Sequence, residues 1–476
     1  MSEVGEHACV LGAGMAGLLA ARVLSESYRS VTVVERDQLP DHPRDRRGVS
    51  QGRHLHTFLS RGTLVLAELF PGVLEEMAAA GAVVVNDGDL SRIYARVGRC
   101  ELKRSGRLAD PGVLTLCLAS RPFVEFHVRR RVEALANVAF LDEHEVIDPL
   151  VVADAVTGVR IVNRTNGMVT ALDADLVVDA TGRAARTPAF LEGSGYGRPA
   201  EKRSPSAVGY SSQRFALPEG RLNKQLVMSN QGPSQPTALL LACEHDTWML
   251  AVGRSTHVGG APADFATMLA LVQRALPSAI ADALGGAQPV GEIAMLRNPA
   301  AVWRRYDRMA RFPRGLLVMG DALCSLNPIH GQGMTMAALQ SLTLHDCLRC
   351  GDRDLAQRFF HAAAQDIGPT WARNQAIDRV PANRKQSVRQ RLLDQIVRAT
   401  LTAAAYDTTV TERLLRVSHL IDPPARLGDP ALLPHILAAN LRHLCTLTRR
   451  QLGRPSRHDL VSTRHRGPGT TAAANT

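Results

Sequence analysis

The chain has 476 residues, 45% of them hydrophobic, and a formal net charge of +11; its length suggests roughly two or three domains at ~150 residues each. No apolar run approaches the ~18 residues that a membrane helix needs, and no basic segment precedes the first apolar stretch, so we expect a cytoplasmic protein with neither a membrane span nor a signal peptide. The positive charge is almost all arginine, and the clusters at Arg129-Arg130-Arg131, Arg304-Arg305 and Arg449-Arg450 stand far apart without interleaved aromatics, so no nucleic-acid partner is expected.

In chain order, Ala8-Cys9-Val10-Leu11 reads as a buried parallel strand. Gly12 would allow the sharp turn after it, and Gly14 would let backbone approach a pyrophosphate. Gly17 would let a helix from about Met15 to Leu24 pack close on the strand. The phosphates would sit on the free N–H groups at the helix start, around Met15 and Ala16, where the helix dipole favours negative charge. Val31-Thr32-Val33-Val34 is the next strand, and Glu35 closes it. An acid there is placed to accept hydrogen bonds from a ribose 2′-OH. Strand, turn, helix, strand and acid together indicate a dinucleotide, NAD or FAD.

Arg46 to His56 is poor in apolar residues and reads as a loop; metal binding by His54 and His56 is not expected without a carboxylate or thiol cluster beside them. Ser120-Arg121-Pro122 opens a helix around Val124 to Leu135, and Leu176-Val177-Val178-Asp179-Ala180-Thr181-Gly182 is an apolar strand returning to the same region. Between 203 and 298 the pattern becomes short strands joined by Pro, Gly and charged turns, with helices over Asp264 to Leu276 and Ala279 to Leu284. Gly315-Leu316-Leu317-Val318-Met319 is another apolar strand; it ends in Gly320-Asp321 and leads through Asn327 to Met334 into a long helix. Residues 383–452 read as helices only, and 453–476 as a disordered tail. The last helix, near Leu433 to Leu452, sets Ile436, Leu437, Leu441 and Leu444 on one side. We expect it to dock on the dinucleotide domain; membrane contact is the alternative. The eight scattered cysteines read as reduced thiols.

The Gly320-Asp321 and Asn327-Pro328-Ile329-His330-Gly331-Gln332-Gly333-Met334 segments resemble those of the FAD-dependent monooxygenases of the para-hydroxybenzoate hydroxylase type (group A), including squalene epoxidase. The resemblance implies FAD rather than NAD, with Asp321 on the ribityl chain. Pro328, Gly331, Gly333 and Met334 would lie in the turn facing the pyrophosphate and the flavin C2 carbonyl. It also implies cofactor contacts from Arg36, Arg53 and Arg121 and from the backbone of Val146. The implied fold is α/β: a doubly wound Rossmann-like FAD domain (1–202 and 299–382), an antiparallel-sheet substrate domain (203–298) and a C-terminal helical region (383–452).

The run Arg46-Arg47-Gly48-Val49-Ser50-Gln51-Gly52-Arg53-His54-Leu55-His56, with Leu69-Phe70-Pro71-Gly72, further resembles the bacterial polyether-type polyene epoxidases of the lasalocid and monensin pathways. That implies oxygen transfer at flavin C4a to a hydrophobic polyene of polyketide origin, in secondary metabolism, with electrons from NAD(P)H or a partner flavin reductase. No side chain is assigned a catalytic role. Trp248, Trp303 and Trp371 stand alone, with no Trp-x-Trp-x-Ile-Pro run, so a flavin halogenase is disfavoured. No Tyr, His or Asp in 203–298 stands out to engage a phenol, which sets hydroxylation of an aromatic second; a flavoprotein reductase is third.

Overall fold

The structure, a computed structural model, describes residues 4–205, 208–232, 234–256, 259–297, 300–378 and 388–452. The expected tail at 453–476 and the start of the expected helical region at 383–387 lie outside the described residues.

Five short apolar runs form one sheet in the order Leu316–Val318, Leu176–Asp179, Gly5–Leu11, Tyr28–Val34, Val138–Leu141, and every neighbouring pair is parallel. Ala8, Val10, Val33, Val177 and Leu317 are fully buried, as a sheet covered on both faces requires. The helices Met15–Leu24 and Gly333–Leu348 pack on each other beside it. An antiparallel meander of His144–Val152, Ala155–Asn163 and Val169–Asp173, which the sequence reading did not separate out, packs against the sheet as well.

The second sheet has seven strands, Gln288–Leu296, Val208–Ala216, Thr247–Ser255, Thr237–Ala242, Leu226–Asn230, Ile93–Val97 and Cys100–Glu101. The last two come from inside the first stretch of the dinucleotide half. The pairing of Ile93–Val97 with Leu226–Asn230 is parallel, so the sheet is antiparallel except at that one junction. One face carries Phe215, Leu240, Leu250 and Val252 and packs on the helices Phe265–Ala275 and Ser278–Ala283. On the other, Ile93, Leu241 and Met249 meet the C-terminal helices through Ala403, Val410, Leu415 and Ala439.

The helix Leu433–Leu452 turns Ala439 and Ile436 inward onto a cluster that joins Leu241 and Met249 of the second sheet to Leu90, Leu114 and Leu118 of the first stretch. Leu437, Leu441 and Leu444 are 64%, 63% and 58% exposed. The helix packs on its neighbour Val388–Ala404, where Asn440 Nδ2 donates to the Ala399 carbonyl at 3.0 Å, and the leucine stripe lies on the outer side. Among the described residues no helix is long and apolar enough to cross a membrane.

Candidate cofactor and active site

The first glycine segment folds as its spacing requires. Gly12 has φ of +100°, and a Cβ there would lie 2.9 Å from the Ala180 carbonyl oxygen. A Cβ on Gly17 would fall 1.8 Å from the Gly12 oxygen, so only glycine lets the helix sit this close. Gly14 differs: a Cβ there would meet nothing within 4 Å, which leaves an open approach to the backbone. The helix Met15–Leu24 starts at Gly14 with no side-chain cap and no acidic residue in its first turn. Its N-terminal amides at Met15, Ala16 and Gly17 keep their affinity for an anion.

Glu35 closes the strand Tyr28–Val34 and is buried. Its Oε2 accepts from the Ala13 amide at 2.8 Å and lies 3.0 Å from Arg46 Nη1; its Oε1 accepts from the Asp37 amide at 3.0 Å. Arg46 also donates to the Ala13 carbonyl at 3.0 Å and pairs with Glu125. The sequence reading contained Arg46 but gave it no role, because Glu125 lies far along the chain and no local pattern joins them. The His144 amide donates to the Glu35 carbonyl at 2.9 Å, which puts half-buried Val146 two residues along the strand that starts there. Arg36 is exposed at the same end, its carbonyl accepting from Arg164 Nη1 at 3.0 Å.

The second segment comes up against the first. Leu316–Val318 runs into Gly320, whose φ is +65° and whose amide donates to Gln340 Oε1 at 2.6 Å. Asp321 follows. Gly331, at φ of +63°, closes the turn through exposed Pro328, and Gly333 opens the helix Gly333–Leu348, which has no side-chain cap and no acid in its first turn. Met334 is buried behind it. A Cβ built on Gly333 would lie 4.0 Å from Asp321 Oδ1, so the carboxylate faces the helix start. The turn is tied from behind, where Asn327 Nδ2 and His330 Nε2 lie 3.1 Å and 2.9 Å from the two oxygens of Asp378. Asn374 donates to Gln332 Oε1 at 2.7 Å.

The Asp321 carboxylate accepts no hydrogen bond among the described residues; only its backbone carbonyl does, from Arg304 Nη1 at 3.4 Å. Burial pushes its carboxyl above the ordinary carboxylate range, and the charges of Arg121, Arg183 and Arg304 pull part of the way back. Arg121 is buried on the first turn of the helix Arg121–Glu133 behind its Ser120 cap, not a solvated helix-end charge. Its Nε and Glu125 Oε2, 3.5 Å apart, are both buried without a hydrogen bond. Unpartnered polar atoms of this kind, beside two uncapped helix starts and an open Gly14, fit a long polar dinucleotide. Arg53 is the outlier of the expected set: it is exposed at the end of the turn Arg47–Arg53 and makes no hydrogen bond among the described residues.

Next to this clamp, residues 54–59 cross to the second sheet. The Leu59 amide donates to Thr335 Oγ1 at 2.9 Å, in the first turn of the second clamp helix. His54 is buried, with Nδ1 3.1 Å from Ser212 Oγ and its ring edge-on to Tyr210 at 4.9 Å. His56 Nδ1 lies 2.9 Å from the His54 carbonyl. Burial, with the Arg53 charge adding to it, pushes His54 down to about 4; burial and Arg121 push His56 to about 3. Both imidazoles are therefore neutral at pH 7. Tyr210 pairs with a histidine from outside 203–298, a contact that no pattern within that range announces. Glu244 completes the junction. It accepts from the Ser120 amide at 2.7 Å and from Ser120 Oγ at 2.6 Å, and it pairs with Arg214 of the sheet. His245 and Asp246 lie on the exposed turn beyond it.

A parallel five-stranded sheet carrying the glycine turn, with a large second sheet facing it, is the fold of the FAD-dependent monooxygenases and halogenases. PqsL, a probable FAD-dependent monooxygenase from Pseudomonas aeruginosa, matches over 85% of this chain and 98% of its own with a TM-score of 0.58 and 18% identity. The myxobacterial chondrochloren halogenase CndH, a variant of FAD-dependent halogenases, matches over 89% of this chain and 99% of its own with a TM-score of 0.60 and 18% identity. At such identity the likeness is one of fold. The chain belongs to the family of the Mycobacterium tuberculosis protein Rv3254, to which it is 36% identical over 464 residues, 92% of this chain and 94% of that protein. No protein-family model matches it.

Proposed function

We propose that the chain is an FAD-dependent monooxygenase that epoxidises alkenes of a linear polyene. The observation that carries the cofactor is the unpartnered Asp321 carboxylate facing the uncapped start of the helix Gly333–Leu348, directly against the first glycine segment. FAD bound there supplies two-electron redox chemistry and oxygen activation. In the overall reaction NAD(P)H, or a flavin reductase, gives two electrons; one atom of O2 enters the alkene and the other leaves as water. The chain's own part is to bind and exclude. Met15 to Gly17 and Gly333 to Met334 offer amides to the pyrophosphate and to the flavin C2 carbonyl. Asp321 takes the ribityl hydroxyls and Glu35 the ribose. On this reading the second sheet would shield the reacting face from water.

The polyene reading rests on the resemblance of the Arg46 to His56 loop. A second reading, hydroxylation of an aromatic, is favoured by the His54 and Tyr210 pair, which offers polar contacts on the sheet face. Incubating the FAD-loaded, reduced protein under 18O2 with polyenes and phenols, with products read by mass spectrometry, separates the two. Label on a polyene, released as a diol by acid, supports epoxidation, and label on a phenol alone supports the hydroxylase. No label on any compound, with reduced flavin reoxidising slowly in air, leaves the reductase.

A further inference from the structure

On the reading of this site as one for FAD and oxygen insertion, we infer that His54 is a substrate-orienting residue. Held by Ser212 in the Nε2–H tautomer, it presents that N–H, beside the Tyr210 hydroxyl, to an oxygen acceptor (a phenolic, hydroxyl or carbonyl oxygen) carried by the substrate.

The tautomer follows from the hydrogen bonds around Ser212. Its Oγ already accepts from the Leu55 amide at 3.4 Å, and His54 Nδ1 lies 3.1 Å away. If Nδ1 carried the proton, Oγ would accept twice and its own proton would have no acceptor among the described residues. That costs a buried hydroxyl a hydrogen bond. With the hydroxyl donating to Nδ1, the Ser212 hydroxyl, Nδ1 and the Leu55 amide are all satisfied, and the imidazole proton sits on Nε2. Ser212 is 1% exposed, so water does not replace either bond.

The Nε2–H has no hydrogen-bond partner among the described residues, and 5% of the residue's surface remains exposed. The Tyr210 hydroxyl has none either, and its ring stands edge-on to the imidazole. Tyr210 and Ser212 pair with Gly253 and Ala251, on the opposite side of the sheet from the Leu250 and Val252 that pack on its outer helices. They therefore lie on the other face, where residues 54 and 55 reach Ser212. On the same loop, Leu59 is tied to Thr335 at the second clamp helix. The cations facing the pair are Arg53, next in chain to His54, and Arg121, whose charge acts on His56; no carboxylate is hydrogen-bonded to either imidazole. A neutral donor held this way orients an oxygen-bearing substrate through a hydrogen bond and not through a charge of its own.

Two measurements test this. In protein labelled with 15N-histidine, His54, assigned as the signal missing from His54→Gln, should be the Nε2–H tautomer at pH 7, and Ser212→Ala should shift it toward a tautomer mixture. An Nδ1–H tautomer or an imidazolium in the unmodified protein overturns the proposal. The FAD-loaded protein is then titrated with 4-ethylphenol and with ethylbenzene, following the flavin absorbance. We expect about 5- to 10-fold tighter binding of the phenol, the size of one net hydrogen bond. That preference should fall toward unity in His54→Phe and largely return in His54→Gln, whose amide can donate. No preference in the unmodified protein, or one that survives in His54→Phe, overturns it. The tautomer is read with or without cofactor, and FAD content is measured separately. A protein that takes up no FAD therefore refutes the cofactor reading and leaves the tautomer result standing.

Discussion

Gly320 and Ala16 touch across the two glycine segments: a Cβ built on Gly320 would lie 2.5 Å from the Cβ of Ala16, at a φ of +65°. The two halves of the clamp are therefore in register through a single pair of small residues. Gly320→Ala introduces both a clash and a left-handed alanine, and we expect it to cost about 1–3 kcal/mol in urea unfolding. FAD affinity should fall as well. Ala16→Gly in the same chain should restore the part due to the clash and leave the part due to φ, so a double-mutant cycle should show coupling.

Asp321 gives the opposite sign for stability. Burial raises its carboxyl in the folded protein above the ordinary range, so the folded state holds its proton more tightly than the unfolded state does. Its effect on the cofactor-free protein is thus a loss of stability as pH rises through the ordinary carboxylate range and on through the raised value. Asp321→Asn should remove that loss. The cofactor-free variant should melt at least as high as the parent at pH 7 and show no such fall, yet it should bind FAD far more weakly. A variant that keeps its full yellow colour through gel filtration would refute the assignment of Asp321 to the cofactor.

How far the sequence speaks depends on whether a contact is local. The turn at Gly12, the helix Met15–Leu24, the strand end at Glu35 and the turn into Gly333 are short-range patterns, and their spacing predicts them closely. The parallel sheet follows from its buried apolar runs. Arg46 with Glu125, Ser120 with Glu244 and His54 with Ser212 join residues 79, 124 and 158 apart, and no period or spacing announces them. The same holds for Ile93–Val97, whose partner strand is Leu226–Asn230. The leucine stripe at Leu437, Leu441 and Leu444 has a helical period that says the helix is amphipathic; it does not say which side meets the protein.

Arg46 stands between two buried carboxylates, 3.0 Å from Glu35 and closer to Glu125, with 6% of its side chain exposed. Removing it takes the ion-pair partner from buried Glu35 and leaves Glu125 with Arg121 alone, at 3.5 Å. Arg46→Met should therefore destabilise the protein by about 3–5 kcal/mol at pH 7. Arg46→Lys keeps the charge but not the fork that reaches both acids and the Ala13 carbonyl, and it should recover only part of the loss. Urea unfolding of the three proteins at pH 7 measures both effects.

Glu244 binds the second sheet to the first turn of the helix that carries Arg121. Burial alone would raise its carboxyl, but the Arg214 charge and the two hydrogen bonds from Ser120 outweigh that and hold it below the ordinary glutamate range. A lowered acid contributes stability that is present above its unfolded value, about 4.3, and is lost as pH falls through the folded one. Glu244→Gln keeps the shape and accepts one of the hydrogen bonds without the charge, so it should cost about 1–3 kcal/mol at pH 7. The gap between parent and variant in melting temperature should shrink as the pH drops from 5 toward 3, because the parent loses the same charge. Arg121 loses its support in both cases, so FAD affinity should fall in step with the gap. A gap that stays constant down to pH 3 would mean that Glu244 acts by shape alone, and that the junction between sheet and clamp is not held by its charge.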